Sequence, residues 1–167
     1  MRNILNGKGL LNSVYPCTEY LTFGPWIYLV PQYKPENVLM LGYAGGTTAG
    51  LIKLIHGDVP ITAIDIKFVE DPYDINFIEQ DAEIYVKDCP AYDCVIVDLY
   101  EDVHPCEFIY KKEFANNLKR ISNYLIIHAQ DYSDMHAYYD FRLIKKLSLD
   151  TSRFHYYMIK RVGIPIR

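Results

Sequence analysis

The sequence predicts an α/β fold in which helices cover both faces of a mostly parallel sheet. Short apolar runs without alternation, at 38–41 and 93–98, are typical of parallel strands that are buried on both faces. Helical periodicity over 47–55 and 108–121 places a helix after each of these runs, so that strands and helices alternate along the chain. We therefore expect a Rossmann-like, doubly wound sheet.

The first predicted strand and helix have clear local boundaries. The strand VLML at 38–41 lies between Pro35 and Gly42, and the helix at 47–55 carries an apolar stripe that ends before Gly57. The elements predicted next are a second strand at 61–66 (ITAIDI), a short third strand at 77–79 and one or two helical turns at 82–86.

The second half of the predicted sheet begins with DCVIVD at 93–98, which is the clearest strand after the first. A helix with one apolar side is predicted for 108–121. The fifth strand is YLIIHA at 124–129, and a further helix is predicted for 135–147.

Two strands are predicted near the end of the sequence. Residues 154–160 alternate as an antiparallel strand does, so the mostly parallel sheet is expected to carry an antiparallel C-terminal strand. Residues 162–166 are predicted to add a last edge strand, because Pro165 suits an edge and not a centre.

Length and composition limit the possible classes of protein. The chain has 167 residues, half of them hydrophobic, which predicts one domain at 37–167 with an N-terminal extension at 1–36 that packs on the core. A net charge of −4 argues against nucleic-acid binding. No apolar stretch approaches the roughly 18 residues of a membrane span, and no signal peptide is recognised, so the predicted location is cytoplasmic.

The cysteines give no metal-binding pattern. None of the four forms a Cys-x-x-Cys pair, whereas zinc sites use three or four closely spaced ligands. We therefore expect no metal. The cysteines are Cys17, Cys89, Cys94 and Cys106.

Polar residues follow the apolar strands at the ends where a parallel sheet binds ligands. The carboxyl ends of parallel strands form one edge, and ligands bind there, at the point where the strand order reverses. This common edge is the first functional signal in the sequence. The residues concerned are the loop Gly42 to Gly46 after the first strand, Asp65 after the second, Asp81 after the third, Asp98 after the fourth, and His128 and Gln130 after the fifth.

Four stretches of the chain resemble the spermidine synthase-like branch of the class I S-adenosylmethionine-dependent methyltransferases. They are LGYAGGTT (41–48), ITAIDI (61–66), QDAEIYV (80–86) and YDCVIVDLYEDVHPCEFIYKKEF (92–114). The upstream stretch TEYLTFGPWIYL (18–29) is similar to the segment that enters that family's nucleotide-binding domain.

The resemblance implies the class I methyltransferase fold, with a nucleotide-binding α/β domain at 37–167. It also implies a transferase that binds S-adenosylmethionine or decarboxylated S-adenosylmethionine and transfers an aminopropyl or methyl group to a small amine acceptor.

The loop after the first strand matches the methyltransferase pattern Gly-x-Gly-x-Gly at Gly42, Ala44 and Gly46. Small residues here, Gly45 included, let main-chain N–H groups approach the methionine-like end of the ligand at the start of the next helix. Ala44 replaces one glycine, so we expect its φ to be negative. The alternative is a tight strand-to-helix turn without a ligand.

Three further residues are assigned to the nucleoside. Asp65 can accept hydrogen bonds from both ribose hydroxyls, as an acid at this position does in dinucleotide folds. A dehydrogenase would use the same acid, but the loop lacks the spacing Gly-x-Gly-x-x-Gly; Asp65 could also be a solvated strand end. By resemblance, Asp81 would hold the adenine amino group and the N–H of Ala82 a ring nitrogen. Asp81 could equally be a helix N-cap, and the two roles are compatible.

Asp98 and Glu101 match the two acids of the family segment and are the predicted catalytic residues. With Asp102 they can attract a cationic diamine, and one carboxylate can take a proton from the attacking amine. Asp98 also counts among the cofactor-binding residues. The alternative is a polar loop at the sheet edge. His104 and His128 are interpreted as incidental.

The sequence departs from full spermidine synthases in two respects. Only about 36 residues precede the first strand, so most of the family's N-terminal β domain is missing, and Cys17 and Thr18 replace a Tyr-His pair. Three functions stay open: an aminopropyl- or methyltransferase of this branch, an ordinary small-molecule methyltransferase, and a non-catalytic binding subunit. The expected partner is a small amine, not nucleic acid or membrane, and a homodimer is left open.

Overall fold

The structure, a computed structural model, describes residues 2–6, 9–14, 25–67, 73–101, 104–130, 142–148 and 154–161. Its strands are β1 (Arg2–Asn6), β2 (Gly9–Val14), β3 (Val38–Leu41), β4 (Ile61–Asp65), β5 (Asn76–Glu79), β6 (Cys94–Val97), β7 (Tyr100–Glu101), β8 (His104–Pro105), β9 (Tyr124–Ala129), β10 (Arg142–Ser148) and β11 (Phe154–Arg161). Its α-helices are α1 (Thr47–His56), α2 (Ala82–Tyr85) and α3 (Lys112–Ile121), and 3₁₀ helices span Pro25–Leu29 and Glu107–Tyr110.

Seven strands form one sheet in the order β10-β11-β9-β6-β3-β4-β5. The five strands from β9 to β5 are parallel, and β11 is antiparallel to both of its neighbours, β9 and β10. The chain runs outward from β3 through β4 to β5 and then returns to β6 on the other side of β3. The strand order therefore reverses between β3 and β6, and the predicted doubly wound, mostly parallel sheet with an antiparallel C-terminal strand is confirmed.

Both faces of the sheet are covered, as the non-alternating strands predict. In β3 all four residues are buried, and they divide between the two faces. Leu39 and Leu41 pack in a cluster with α3, whereas Val38 and Met40 pack in a second cluster with α1. Leu29, from the 3₁₀ helix before β3, is fully buried in this second cluster. The domain boundary proposed at residue 37 stays a prediction.

The predicted helix at 135–147 is wrong over the part that the structure describes. Residues 142–147 belong to strand β10, and 135–141 lie outside the described residues. β10 pairs with β11 along its length, with an irregularity after Leu143. These cross-strand hydrogen bonds override the helical propensity of a segment rich in leucine and lysine. The predicted edge strand at 162–166 also lies outside the described residues.

The helix predicted over 108–121 is divided in two. Lys111 has an extended backbone (φ −82°, ψ 140°) between the 3₁₀ helix Glu107–Tyr110 and α3. The rings of Phe108 and Phe114 meet edge to face with centroids 5.0 Å apart, so that the 3₁₀ turn folds back on α3. The remaining predicted strands and helices agree with the structure to within about two residues at each end.

The described residues contain neither a membrane-length apolar helix nor a metal-binding cluster. No helix among them is long and apolar enough to cross a bilayer. Within the same ranges, no three side chains of histidine, cysteine, aspartate or glutamate lie close enough together to hold a metal ion.

Candidate functional site

The loop between β3 and α1 lies against the end of β6, where the strand order reverses. Gly42 has a φ of 88°, and a Cβ atom at this position would lie 2.2 Å from the main-chain oxygen of Asp98. Only glycine fits such a close approach of two backbones. The first glycine of the loop therefore brings the loop into contact with the first predicted catalytic acid.

The carboxylate of Asp65 is turned toward the same loop. Its Oδ2 atom accepts hydrogen bonds from the N–H groups of Tyr43 (2.8 Å) and Ala44 (3.1 Å). Asp65 ends β4, which pairs directly with β3, so neighbouring strands supply the donors and the acceptor. Among the described residues, no hydrogen bond is recorded to the other oxygen, Oδ1. Asp65 thus fixes the loop with one of its two carboxylate oxygens.

The expectation that Ala44 has a negative φ is wrong. Its φ is 48°, in the left-handed region that alanine seldom adopts. In this conformation the N–H of Ala44 donates to Asp65, and this hydrogen bond offsets part of the backbone strain. The Asp65 carboxylate therefore explains why the loop tolerates an alanine where glycine is the usual residue.

The loop ends at Gly46, the residue before the first turn of α1. Gly46 is left-handed (φ 76°), and no side chain caps the helix. Its own Cβ would lie 2.4 Å from the hydroxyl of Tyr43, whose buried ring packs edge to face against Phe77 at 5.6 Å. The first turn of α1 also carries no acidic residue. The loop therefore leads to a helix N-terminus whose positive end is not neutralised by a side-chain cap.

A pocket opens beside the loop. The empty space among its lining atoms is about 260 Å³ when the solvent at its open mouth is included, but the enclosed part is about 10 Å³, which is room for about one water molecule. The pocket is therefore a shallow depression, and a nucleoside-sized ligand would lie mainly along the edge of the sheet. The pocket is lined by Trp26, Met40, Gly42, Tyr43, Ala44, Gly45, Thr47, Thr48 and Asp98. Sequence reasoning did not select Trp26, whose signal was its place in the family-like stretch 18–29.

Asp81 has the N-cap role that the sequence left open beside a ligand role. Its Oδ1 atom accepts hydrogen bonds from the N–H groups of Glu83 (2.7 Å) and Ile84 (3.3 Å) at the start of α2. The N–H of Gln80, just before it, donates to the main-chain oxygen of Asp65 (2.9 Å). Ala82 is buried. Asp65 and Asp81 therefore lie on adjacent strand ends.

Two large aliphatic side chains stand exposed beside these acids. Ile66, next to Asp65, is 74% exposed, and Ile84, in α2, is 58% exposed. Burying such side chains against a flat ring is favourable by about 25 cal/mol per Å². Ile66 and Ile84 thus provide apolar surface near Asp65 and Asp81. In the sequence, the position of Ile66 directly after the strand-end acid Asp65 could have indicated this surface.

Asp98 is joined to a histidine that the sequence analysis interpreted as incidental. Its Oδ1 atom lies 2.7 Å from Nδ1 of His128, and Nε2 of His128 lies 3.0 Å from the hydroxyl of Tyr100. The strand pairing explains this contact, because β6 pairs with β9 and Val97 lies opposite Ile127. The residues that follow them, Asp98 and His128, are therefore neighbours.

Glu101, the second predicted catalytic acid, is separated from this hydrogen-bonded group. It is exposed, its main chain pairs with His104 in the short β7–β8 ribbon, and no hydrogen bond to Asp98 is recorded in the described part of the chain. Burial raises the pKa of the Cys106 thiol to about 11, with further contributions from the carboxylates of Glu101, Asp81 and Asp65. Glu101, Asp81 and Asp65 therefore all lie close enough to Cys106 to affect its thiol.

Several residues named in the sequence analysis lie outside the described ranges. They include Cys17, Thr18 and Asp102. Their contribution to the site stays a prediction, as do the assigned functional roles of Asp65, Asp81, Ala82, Asp98, Glu101 and the loop.

Comparison with known proteins identifies the fold. No protein-family model and no curated protein sequence matches the chain. Its structure is similar to human methyltransferase-like protein 13 in complex with SAH (TM-score 0.62, 13% identity, covering 83% of this chain and 79% of that one). It is also similar to a spermidine synthase in complex with the transition-state analogue AdoDATO (TM-score 0.61, 16% identity, 83% and 58%) and to the spermidine synthase of Thermotoga maritima (0.59, 17%, 83% and 57%).

These likenesses establish the class I methyltransferase fold, as the sequence predicted. They extend to methyltransferases and spermidine synthases alike, so they do not single out the spermidine synthase-like branch. The chain spans less than three fifths of the length of the two spermidine synthases.

Proposed function

We propose that the chain is a transferase that binds S-adenosylmethionine at the carboxyl edge of its sheet and transfers a group to a small amine acceptor. The observation that carries the proposal is that the bare loop and Asp98 line one pocket where the strand order reverses, and that the Asp65 carboxylate holds the same loop. Ligands of doubly wound sheets bind at this position.

The residues present fit a nucleoside sulfonium. Oδ1 of Asp65 would accept from the ribose hydroxyls while Oδ2 stays on the loop. The exposed Ile66 and Ile84 would cover the faces of the adenine ring, with Asp81 at its amino group. Asp98, in the pocket wall, would face the positive charge. When bound, S-adenosylmethionine supplies an electrophilic carbon attached to a positively charged sulfur.

The N-terminus of α1 favours S-adenosylmethionine over its decarboxylated form. The tail of the first ends in an ammonium and a carboxylate, whereas the tail of the second carries only the ammonium. Uncapped N–H groups and the helix dipole stabilise an anion, and Thr47 and Thr48 add hydroxyl groups to the same wall. Methyl transfer is therefore the first candidate.

Aminopropyl transfer is the second candidate, and a different observation favours it. Glu101 is exposed at the same edge of the sheet and shares the surroundings of Cys106 with Asp81 and Asp65. Three carboxylates at one edge would attract a dication such as a diamine. The acceptor side of the proposal, a small amine, is common to both candidates.

The single tryptophan of the chain allows a direct binding test. Trp26 lies in the pocket wall, so a ligand in the pocket is expected to change its fluorescence. The protein is titrated with S-adenosylmethionine, its decarboxylated form and S-adenosylhomocysteine, and Trp26→Phe supplies the background signal. We expect micromolar binding of the first and the third and weaker binding of the decarboxylated form.

A substitution at Asp65 distinguishes ligand binding from loop support. Asp65→Ala would remove both, whereas in Asp65→Asn the amide oxygen can still accept from Tyr43 and Ala44. We expect Asp65→Asn to keep the melting temperature and to weaken binding roughly 10- to 100-fold, the cost of losing hydrogen bonds to a charged group. If none of the ligands binds below millimolar concentration, the non-catalytic alternative gains and the proposed function fails.

A further inference from the structure

We propose that Asp98, His128 and Tyr100 form a proton relay in which His128, and not Asp98, is the base of the transfer reaction. The inference rests on the proposed function and deepens it, because an amine that is protonated at neutral pH has no lone pair and must lose a proton before it can attack the electrophilic carbon. It changes the role that the sequence assigned to Asp98, from proton acceptor to the charged partner of a base.

The contact between Asp98 and His128 determines which nitrogen of the neutral imidazole ring carries the proton. Two lone pairs do not approach to 2.7 Å without a proton between them, and this distance is typical of a charge-assisted hydrogen bond. With Asp98 ionised, Nδ1 of His128 carries the proton and donates it to Oδ1. The lone pair of the neutral ring then lies on Nε2, 3.0 Å from the hydroxyl of Tyr100. Tyr100 therefore donates to His128.

The surroundings protect this arrangement from water. The side chains of His128 and Asp98 are 12% and 19% exposed, and the rings of His128 and Tyr100 pack with centroids 4.6 Å apart. Their main chains are also fixed, since Asp98 donates its N–H to Leu41 (2.9 Å) and His128 lies within β9. Three groups held by two adjacent strands and a short ribbon have the orientation that proton transfer requires.

The proton moves in two coupled transfers that balance. The relay requires the acceptor nitrogen to lie against the Tyr100 hydroxyl. The acceptor N–H bond then breaks as its proton passes to the oxygen of Tyr100, and the Tyr100 O–H bond breaks as the hydroxyl proton passes to Nε2 of His128. The acceptor keeps its electron pair, Tyr100 ends neutral, and His128 ends as an imidazolium. Asp98 stays ionised throughout and stabilises this cation through Nδ1.

The position of Asp98 connects the relay with the pocket. Asp98 lines the pocket, and its main chain touches Gly42, while its Oδ1 atom holds His128. If Asp98 itself took up the acceptor proton, its carboxylate would lose its negative charge and His128 would stay uncharged. Taking it up on His128 keeps an anion at the pocket wall, and the carboxylate of Asp98, 2.7 Å from Nδ1, then stabilises the new cation.

The tautomer of His128 tests the geometry independently of turnover. The imidazole nitrogens are observed by NMR in protein labelled with ¹⁵N-histidine, and His128→Gln identifies the signal among the five histidines. We expect the Nδ1–H tautomer in the wild type. Tyr100→Phe should shift the Nε2 signal alone, and Asp98→Asn should release the tautomer preference. Tyr92→Phe, which removes another hydrogen-bonded phenol, is the matched control and should change neither signal.

Turnover supplies the second measurement. With amines that the wild type methylates, His128→Gln should lower kcat roughly 10²- to 10⁴-fold with the KM for S-adenosylmethionine unchanged, and Tyr100→Phe should lower it less. An Nε2–H tautomer in the wild type, or full kcat in His128→Gln, would overturn the relay while Trp26 fluorescence still reports ligand binding. A wild type that binds no ligand would instead overturn the proposed function, and the relay with it.

Discussion

Ala44 has a left-handed backbone at the centre of the loop between β3 and α1, and this conformation has a measurable consequence. A left-handed φ costs a residue other than glycine about 1–2 kcal/mol, whereas glycine costs about 0.4–1 kcal/mol through the freedom of the unfolded chain. We therefore expect Ala44→Gly to raise the free energy of unfolding by about 0.5–1 kcal/mol, measured by urea unfolding.

A second alanine gives the matched control. Ala49 lies in α1, where glycine is unfavourable, so Ala49→Gly should lower the free energy of unfolding by about 1 kcal/mol. Equal losses in the two variants would mean that Ala44 does not have its left-handed φ in solution.

At the scale of single residues, the sequence predicted candidate site residues that can be recognised from one strand alone, and it missed a residue whose contacts depend on the pairing of two strands. Asp65 and Asp98 were found because each ends an apolar run. His128 was missed, since its importance depends on β6 pairing with β9, which no local pattern reports. The φ of Ala44 was predicted with the wrong sign for a similar reason. A carboxylate on the neighbouring strand bonds the loop and makes the strained conformation favourable.

Among the elements, α2 offers a test of whether Asp81 has one role or two. Its four residues begin with two hydrogen bonds to Oδ1 of Asp81, and losing an N-cap costs about 1 kcal/mol. We expect Asp81→Ala to lower the free energy of unfolding by about that amount. Asp81→Asn, which keeps a capping oxygen, should be nearly neutral. Urea unfolding measures both.

Binding measured with the same two variants completes this test. If Asp81 also holds the adenine, Asp81→Asn should weaken S-adenosylhomocysteine binding at almost unchanged stability, because an amide cannot accept at both of its positions. Unchanged affinity in Asp81→Asn would leave Asp81 with the capping role alone.

The predicted elements were right where burial imposes one pattern and wrong where two patterns fit. β3 and β6 are apolar at every position, which suits a central parallel strand. In β10, leucine and lysine fit either a helix or a half-covered strand, and pairing with β11 decides between them. The hairpin of β1 and β2 was not predicted.

For the whole molecule, the sheet order determines where a ligand can lie. From β3 the chain continues to β4 on one side of the sheet, and from β6 it continues to β9 on the other side. The loop, Asp65, Asp81 and Asp98 all lie at the carboxyl ends of the parallel strands, on one edge of the sheet. The alternation of strands and helices was sufficient to predict this edge, whereas the pocket depth and the aromatic wall at Trp26 required the packed structure. The fold and the position of the candidate site can thus be predicted from the sequence more directly than the chemistry of that site.

Amide hydrogen exchange with and without S-adenosylhomocysteine tests this placement across the molecule. Amides that exchange only by global unfolding, as expected in β3 and β6, should slow wherever the ligand stabilises the folded state. Amides that exchange by local opening should slow only near the ligand. We therefore expect added protection at 42–46 and 81–84.

The opposite edge of the sheet is the internal control for this measurement. There the N–H of Glu36 donates to the Asp93 carboxylate (2.9 Å), and the N–H of Asp93 donates to the Asn37 side chain (3.0 Å). These bonds join the amino ends of β3 and β6, and the exposed amide of Glu36 opens locally, so the ligand should leave its exchange unchanged. If the ligand protected the amide of Glu36 and not the amides of 42–46, it would bind at the amino edge of the sheet. The proposed site at Asp65 and the loop would then be wrong.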